Sequence, residues 1–233
     1  MTPHVAAGSR TLKHRRVVIT GATGSLGQSV LARFHEAGDS IIAIHSPKQK
    51  VPAAEGVEWF GLDLTVRKSV IDFFSKLEDV DAVIHCAGGF RFGNIDAMSA
   101  EDFKFLNEVN FESSYSVATG AIPAMRKRKT GVLLFVSSKA TISPAAGMSA
   151  YAATKAAVNA MVTSLAEEVK ADGVRVNAVL PSVIDTPANR KAMPHADPSK
   201  WVSPDDLADI LYDLTLSKAR SITGALIPVT GRV

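Results

Sequence analysis

A tyrosine and a lysine lie four residues apart in the alanine-rich stretch SAYAATKAAV, residues 149–158. On a helix this spacing places Tyr151 and Lys155 on one face, one turn apart. A phenol can donate a proton, and a nearby cation favours the phenolate and lowers its pKa from the ordinary value of about 10. The pair has the chemistry of a general acid–base couple, although the same spacing is also common on solvent-exposed helix faces.

A serine, Ser138, directly follows the apolar segment GVLLFVS, residues 131–137, and precedes the tyrosine. In an open parallel sheet, ligands bind beyond the carboxyl ends of the strands. We therefore expect Ser138 to reach the same crevice as Tyr151 and to donate a hydrogen bond to a substrate oxygen. Taken alone, a serine at a strand end is more often a cap or turn residue.

A glycine-rich turn lies between the first predicted strand and the first predicted helix, in VVITGATGSLGQSVLARF. Gly21 permits a tight turn, Gly24 leaves room for a pyrophosphate to approach the backbone, and Gly27 lets the helix pack close to the strand. The positive end of the helix dipole then faces the anion. This context predicts a dinucleotide-binding loop.

The residues after the second and third predicted strands indicate which dinucleotide binds. The stretch AIHSPKQK offers His45, Ser46 and Lys48 and contains no carboxylate. Because an acidic residue there would bind the ribose of NAD, we expect NADP(H) in preference to NAD(H). In LDLT, Asp63 is suited to accept a hydrogen bond from the adenine amino group while Leu64 packs nearby. The alternative for Asp63 is a helix-capping acid.

Short β-branched segments alternate with helical patterns along the chain, which predicts βαβ units and a parallel sheet with helices on both faces. The seven predicted strands are residues 16–20, 40–45, 57–61, 81–86, 131–137, 174–180 and 224–229. We predict one doubly wound domain over residues 15–233, preceded by a flexible leader, residues 1–14.

Composition narrows the functional class. The chain has 233 residues, of which 46% are hydrophobic, and its net charge is only +3 with scattered basic residues, so nucleic-acid binding is not expected. The single cysteine fits a reducing compartment, and no apolar run is long enough to span a membrane. The leader lacks the apolar region of a secretory signal. We predict a cytoplasmic enzyme that binds no metal and acts on a small molecule.

Over about residues 15–231 the chain resembles the short-chain dehydrogenase/reductase family. The matching pieces, in order, are TGATGSLG, HCAGG, VN at 109–110, VSS, YAATK and VRVNAVLPSVIDTP. The resemblance implies a Rossmann fold with strand order 3-2-1-4-5-6-7 and an oxidoreductase that interconverts a carbonyl and an alcohol with NAD(P). Members of the family are usually homodimers or homotetramers.

The resemblance also implies residue roles. Tyr151 would be the proton donor, Lys155 would lower its pKa and bind the nicotinamide ribose, and Asn110 would hold a water that links Lys155 to solvent. Backbone groups of Val183 and the Thr186 hydroxyl would orient the nicotinamide carboxamide. Together with Tyr151 and Lys155, the cofactor-binding residues predicted from the loop and the resemblance are Gly21, Thr23, Gly24, Ser25, Leu26, Gly27, His45, Ser46, Lys48, Asp63, Leu64, Ala87, Gly88, Pro181, Val183 and Thr186.

The sequence departs from the family pattern in two places. Ser25 stands where the family loop usually has glycine, and its hydroxyl is a possible extra phosphate contact. His85 and Cys86 replace two asparagines of the family motif after strand four. We interpret His85 as a structural histidine with satisfied hydrogen bonds and Cys86 as a small buried side chain.

Two further functions remain open at this stage. The segment from Asp185 to Leu211, the AGGF stretch and the GALIPV ending resemble dihydropteridine reductases and their bacterial relatives. Those enzymes reduce quinonoid dihydropterin and typically lack the catalytic serine, whereas this sequence has Ser138 at that place. A catalytically silent nucleotide-binding redox sensor is the other alternative.

If the substrate is a carbonyl compound, four residues indicate that it is apolar or aromatic: Phe90, Phe92, Ile142 and Met148.

Overall fold

The computed structural model describes residues 14–51 and 55–232. Apart from His14, the predicted leader lies outside the described residues. Seven strands form one sheet in the order β3-β2-β1-β4-β5-β6-β7, and every adjacent pair is parallel. This confirms the predicted fold and strand order. The strands are β1 Arg16–Thr20, β2 Ser40–His45, β3 Val57–Gly61, β4 Ala82–His85, β5 Gly131–Val136, β6 Val174–Pro181 and β7 Leu226–Val229.

Helices cover both faces of this sheet. They are α1 Ser25–Glu36, α2 Arg67–Phe74, α3 Ala100–Leu106, α4 Ser113–Arg128, α5 Ser149–Val169, α6 Pro187–Ala192 and α7 Pro204–Thr215. Among the helices of the described ranges, none is long and apolar enough to cross a bilayer.

Alternate residues of the central strands feed two separate cores. Val17 and Ile19 of β1 pack under α1 and α7, whereas Val18 faces the opposite layer with α2, α4 and α5. Because these strands are buried on both faces, their sequences are apolar throughout rather than alternating. Burial on both faces fixes the register of the central strands and hence the positions at which they end.

The strand ends lie side by side and form the crevice of the site. Thr20 at the end of β1 pairs with His85 of β4, which in turn pairs with Phe135 of β5. The chain order reverses between β1 and β4, which is the position where doubly wound folds bind ligands. Loops that follow these three strands therefore face one another.

Candidate active site

The glycine loop after β1 is held close to the end of β4. Gly21 has φ of +65°, and a Cβ there would lie 2.7 Å from the Ala87 nitrogen. A Cβ on Gly27 would overlap the Gly21 carbonyl oxygen and lie 2.8 Å from the Ala22 Cα. Side chains are thus excluded at both positions. The sequence predicted this for a tight turn at Gly21 and for close packing of the helix on the strand at Gly27.

The amino terminus of α1 fits an anionic group. Its capping residue, Gly24, is extended and offers no side-chain hydrogen bond, and the first turn contains no acidic residue. The first N–H groups of the helix are therefore left for a ligand, as in pyrophosphate sites. Ser25 is exposed at the start of the helix, whereas Leu26 packs in the core.

The predicted ribose-binding residues lie on an exposed turn beside this loop. Ser46 and Lys48 are exposed, and the Thr23 hydroxyl donates a hydrogen bond to the Gln49 side chain at 2.6 Å, which joins the glycine loop to the turn. The His45 ring packs edge-on against Trp59, with centroids 6.1 Å apart. Sequence reasoning did not identify Gln49, since nothing in the AIHSPKQK stretch indicated a partner for Thr23.

Asp63 has a local partner. Its Oδ1 accepts hydrogen bonds from the Thr65 N–H at 3.0 Å and from the Thr65 hydroxyl at 2.7 Å. Such a turn supports the structural alternative considered for this acid, while Leu64 is buried as expected. The adenine role of Asp63 stays a prediction.

Asn110 is fully buried in a π-helical turn, Asn107–Glu112, that joins α3 to α4. Its side-chain amide donates to the Gly89 oxygen at 3.1 Å and to the Thr154 hydroxyl at 3.2 Å, while its Oδ1 accepts from the Gly89 N–H at 3.0 Å. π-Helical turns are rare and frequently mark functional sites. The sequence predicted a helix here but did not predict the π turn or the role of Thr154.

Two predicted site residues, Asn110 and Lys155, lie next to Gly88. A Cβ at this glycine would lie 3.0 Å from Asn110 Oδ1 and 3.1 Å from Lys155 Nζ. The space that a side chain would fill is therefore bordered by the amide and by the cation. This arrangement brings Asn110 and Lys155 together next to the predicted cofactor-binding residues Ala87 and Gly88.

Ser138 and Tyr151 are hydrogen-bonded to each other. Ser138 is 8% exposed, and its Oγ also accepts from the Ala140 N–H at 3.1 Å, so its own hydrogen is available to donate. Burial raises the pKa of Tyr151 and the bond with Ser138 partly opposes this effect. The phenol is accordingly protonated at neutral pH.

Lys155 is 5% exposed, and its Nζ donates to the Val136 oxygen at 2.8 Å. Burial lowers the pKa of this lysine to about 8, and Cys86 acts weakly in the opposite direction. The net shift of the Tyr151 pKa is upward, because burial of the phenol outweighs the bond from Ser138. The lowering expected from Lys155 stays a prediction. The spacing of Tyr151 and Lys155 in the sequence does not show how deeply the two side chains are buried, so it could not predict the upward shift.

His85 and Cys86 are structural neighbours of this site. Ser113 gives its hydrogen to the Val109 oxygen at 2.7 Å, so His85 Nε2 is the donor in their 3.3 Å bond, and its Nδ1 accepts from Thr20 at 2.8 Å. Burial, reinforced by Lys155, lowers the pKa of His85 to about 3. Burial raises the pKa of the Cys86 thiol to about 12. A neutral imidazole and a protonated thiol agree with the structural interpretation of both, but Cys86 is partly exposed rather than buried as predicted.

The segment after β6 follows the same edge of the sheet. The strand ends at Pro181, and the Val183 oxygen accepts from the Val202 N–H at 2.9 Å. Thr186 caps α6 by accepting from the Asn189 N–H at 3.2 Å, which leaves its hydroxyl hydrogen to donate elsewhere. Their predicted contacts with a nicotinamide remain predictions. In the described ranges, no group of three or more potential metal ligands occurs.

Comparison with known proteins places the chain in a family. A family model described as short chain dehydrogenase matches residues 15–197. Over 240 residues the chain is 28% identical to the 3-oxoacyl-[acyl-carrier-protein] reductase FabG of Thermotoga maritima, covering 94% of this chain and 98% of the relative. It is 29% identical over 245 residues to a tropinone reductase homolog of Arabidopsis thaliana, covering 95% and 91%.

Solved structures agree with this assignment. An oxidoreductase of the short chain dehydrogenase/reductase family from Burkholderia thailandensis superposes with a TM-score of 0.85 at 29% identity, over 94% of this chain and 92% of that one. ElxO with NADP bound shares the fold, with a TM-score of 0.85 at 21% identity over 94% and 98% of the two chains. The chain belongs to the short-chain dehydrogenase/reductase family of oxidoreductases.

Proposed function

We propose that this protein is an NADP(H)-dependent reductase that converts a carbonyl to an alcohol, with Tyr151 as the proton donor. The hydrogen bond between Ser138 and Tyr151 at the carboxyl end of the sheet carries this proposal. Two hydroxyls that interact in this way can both reach one substrate oxygen. A protonated phenol at neutral pH is the form needed for reduction.

The residues divide the work at the carbonyl. Ser138 donates a hydrogen bond to the carbonyl oxygen and so stabilises the negative charge that develops there. Tyr151 transfers its proton to that oxygen, which forms the O–H bond of the alcohol. NADPH, when bound, supplies the hydride that forms the new C–H bond and is itself oxidised to NADP⁺.

Lys155 and Asn110 support the proton transfer. With a pKa of about 8, Lys155 is mostly protonated at pH 7, and its charge favours the phenolate left after Tyr151 donates its proton. Asn110 holds Gly89 from both sides and thereby fixes the loop beside the lysine. We assign it the predicted role of completing the proton path from Lys155 to solvent.

Each group of predicted cofactor-binding residues is assigned to one part of the cofactor. The pyrophosphate would lie at the start of α1, against Gly24, Ser25 and the backbone of Thr23. Because no carboxylate follows β2, we assign the 2′-phosphate of NADP to Ser46 and Lys48. Lys155 would also bind the nicotinamide ribose, and Val183 and Thr186 the carboxamide.

The names of relatives support this reaction class. They include a 3-oxoacyl-[acyl-carrier-protein] reductase and a tropinone reductase homolog, and ElxO was solved with NADP.

We also propose a homodimer or homotetramer that packs through α4 and α5. A groove there is lined by apolar side chains, including Phe111, Ile122, Met161 and Leu165.

The proposal is tested by NADPH consumption with a panel of ketones, aldehydes, 3-oxoacyl thioesters and quinonoid dihydropterin. We expect a carbonyl to be reduced, with NADPH preferred to NADH. Ser138→Ala should lower kcat for that substrate by about 100-fold or more. Ser69→Ala, on the exposed face of α2, is the matched control and should change nothing.

Other outcomes contradict the proposal. Turnover of quinonoid dihydropterin alone, with NADH, would favour the dihydropteridine reductase alternative. Tight NADPH binding without turnover of any compound would favour the redox sensor. A Ser138→Ala protein as active as the Ser69→Ala control would exclude the assigned role of Ser138.

A further inference from the structure

Two solvent-exposed aromatic side chains lie in the loop that follows β4, beside the proposed catalytic tyrosine. Phe90 is 48% exposed, and its ring meets Tyr151 edge to face, with 4.9 Å between centroids and 82° between planes. Phe92 is 69% exposed in the same loop. Ligand pockets are lined mainly by apolar and aromatic side chains, so exposed rings at this position are candidates for a substrate wall.

A second loop fixes the position of these rings. The Gly93 N–H donates to the Gly147 oxygen at 3.0 Å, which joins the loop after β4 to the loop before α5. The Phe92 ring covers Gly147 so closely that a Cβ there would lie 2.5 Å from its Cζ. With φ of +76°, Gly147 also adopts a backbone conformation that other residues avoid. Since α5 begins at Ser149, the rings are held relative to Tyr151.

Arg91, which lies between Phe90 and Phe92 in the sequence, is already engaged by other groups. Arg91 donates to Asp102 Oδ1 at 3.1 Å and to the Phe90 oxygen at 2.9 Å. Its guanidinium also lies 4.2 Å from the centroid of Phe105. The charge of Arg91 is thus paired with Asp102, and the group in contact with Tyr151 is the aromatic ring of Phe90.

Building on the proposed carbonyl reduction, we propose that Phe90 and Phe92 form the substrate wall and select an uncharged ketone or aldehyde with an aromatic ring next to its carbonyl. Phe90 is the specificity-determining residue. A substrate ring that packs on Phe90 would place the adjacent carbonyl at the hydroxyls of Tyr151 and Ser138. Aromatic pairs in offset or edge-to-face geometry are favoured over aromatic–aliphatic contacts of similar area.

The test compares kcat/KM for acetophenone, butan-2-one and pyruvate with NADPH. The wild-type protein should prefer acetophenone, and Phe90→Ala should lower its kcat/KM by about tenfold or more while changing that for butan-2-one by less than about threefold. Phe60→Ala is the control. Phe60 is also an exposed phenylalanine with one edge-on aromatic partner, Phe73 at 5.2 Å, but it lies on the distant edge strand β3.

A binding measurement separates this inference from the reaction itself. Tyr151→Phe in the presence of NADP⁺ should bind acetophenone in ligand-observed NMR, and adding Phe90→Ala should remove the signal. If no carbonyl is turned over but this binding pattern is found, the proposed reaction fails and the ligand class stands. Preference for pyruvate or butan-2-one, equal losses on all substrates in a folded Phe90→Ala protein, or binding unaffected by Phe90→Ala would overturn the inference.

Discussion

Two groups of residues in the candidate site differ in how deeply they are buried. Ser138, Lys155 and Asn110 are buried and hydrogen-bonded to the backbone around them. In the loop after β4, Phe90 and Phe92 are exposed. Buried positions thus carry the groups that we propose for the chemistry, whereas exposed loop positions carry those that we propose select the substrate. We expect changes at the buried positions to affect every substrate and changes at the exposed positions to affect only some ligands.

The largest effect on stability and cofactor binding is expected from Gly27→Ala. The new Cβ would overlap the Gly21 oxygen, so α1 or the loop must move, at a cost of about 1–3 kcal/mol in the free energy of unfolding. NADPH affinity should fall together with stability, because we propose that the same loop holds the pyrophosphate. Denaturant unfolding and fluorescence titration with NADPH measure the two effects.

Gly24→Ala is the comparison variant. Its Cβ would lie 3.3 Å from the Gly21 oxygen, which is tight but requires only a small shift, and its φ of −74° suits alanine. Its unfolding free energy should lie nearer to that of the wild type. If Gly27→Ala were no less stable than Gly24→Ala, close packing at this buried position would not be the reason for the glycine.

A second prediction concerns the charge of Lys155. Burial lowers its pKa to about 8, so the ammonium is present below that pH and is lost as the pH rises through it. Because the proposed mechanism uses the charged form, kcat/KM for carbonyl reduction should fall above about pH 8, whatever the substrate. Initial rates from pH 6 to 10 give the profile.

Lys155→Met provides the matching variant for that profile. It should lose about 100-fold or more in kcat across the pH range, as expected when a group that assists proton transfer is removed. A wild-type rate that stays constant through pH 8, or a Lys155→Met protein that retains the wild-type profile, would contradict the assigned role. His85, with a pKa of about 3, does not titrate in this range.

The smallest effect is expected on the exposed cofactor turn. Lys48→Glu should lower kcat/KM with NADPH by about tenfold while leaving that with NADH within about threefold, because one surface charge pair contributes modestly. Lys76→Glu, at a position outside the site, is the control. Equal losses with both cofactors would show that Lys48 does not read the 2′-phosphate.

The sequence predicted the sheet better than it predicted the electrostatics. Apolar strands buried on both faces leave a clear pattern, so all seven strands were found within about two residues of their ends. The strand order was predicted from the family resemblance, because the hydrophobic pattern alone does not show which strands pair with each other. Edge strand β7 is shorter than predicted and begins at Leu226, where pairing with Ala178 of β6 starts.

The remaining features depend on three-dimensional surroundings that local sequence does not encode. The raised pKa of Tyr151 follows from burial, not from the Tyr–Lys spacing. The π-helical turn at Asn110 differs from an α-helix only in its backbone hydrogen-bonding pattern, and the sequence there looks like any helical sequence. The contact of Phe90 with Tyr151 joins a loop to a helix far away in the chain, so the sequence indicated an apolar pocket but not which ring touches the tyrosine.

The most direct test of the proposed mechanism is the Tyr151→Phe protein, with Tyr115→Phe on the exposed face of α4 as control. NADPH affinity and single-turnover reduction of the best carbonyl substrate are measured on the same samples. We predict NADPH binding within about twofold of wild type and a rate of reduction lowered by about 100-fold or more, while Tyr115→Phe stays at the wild-type rate. A Tyr151→Phe protein that reduces the carbonyl as fast as the Tyr115→Phe control would contradict the assignment of Tyr151 as the proton donor.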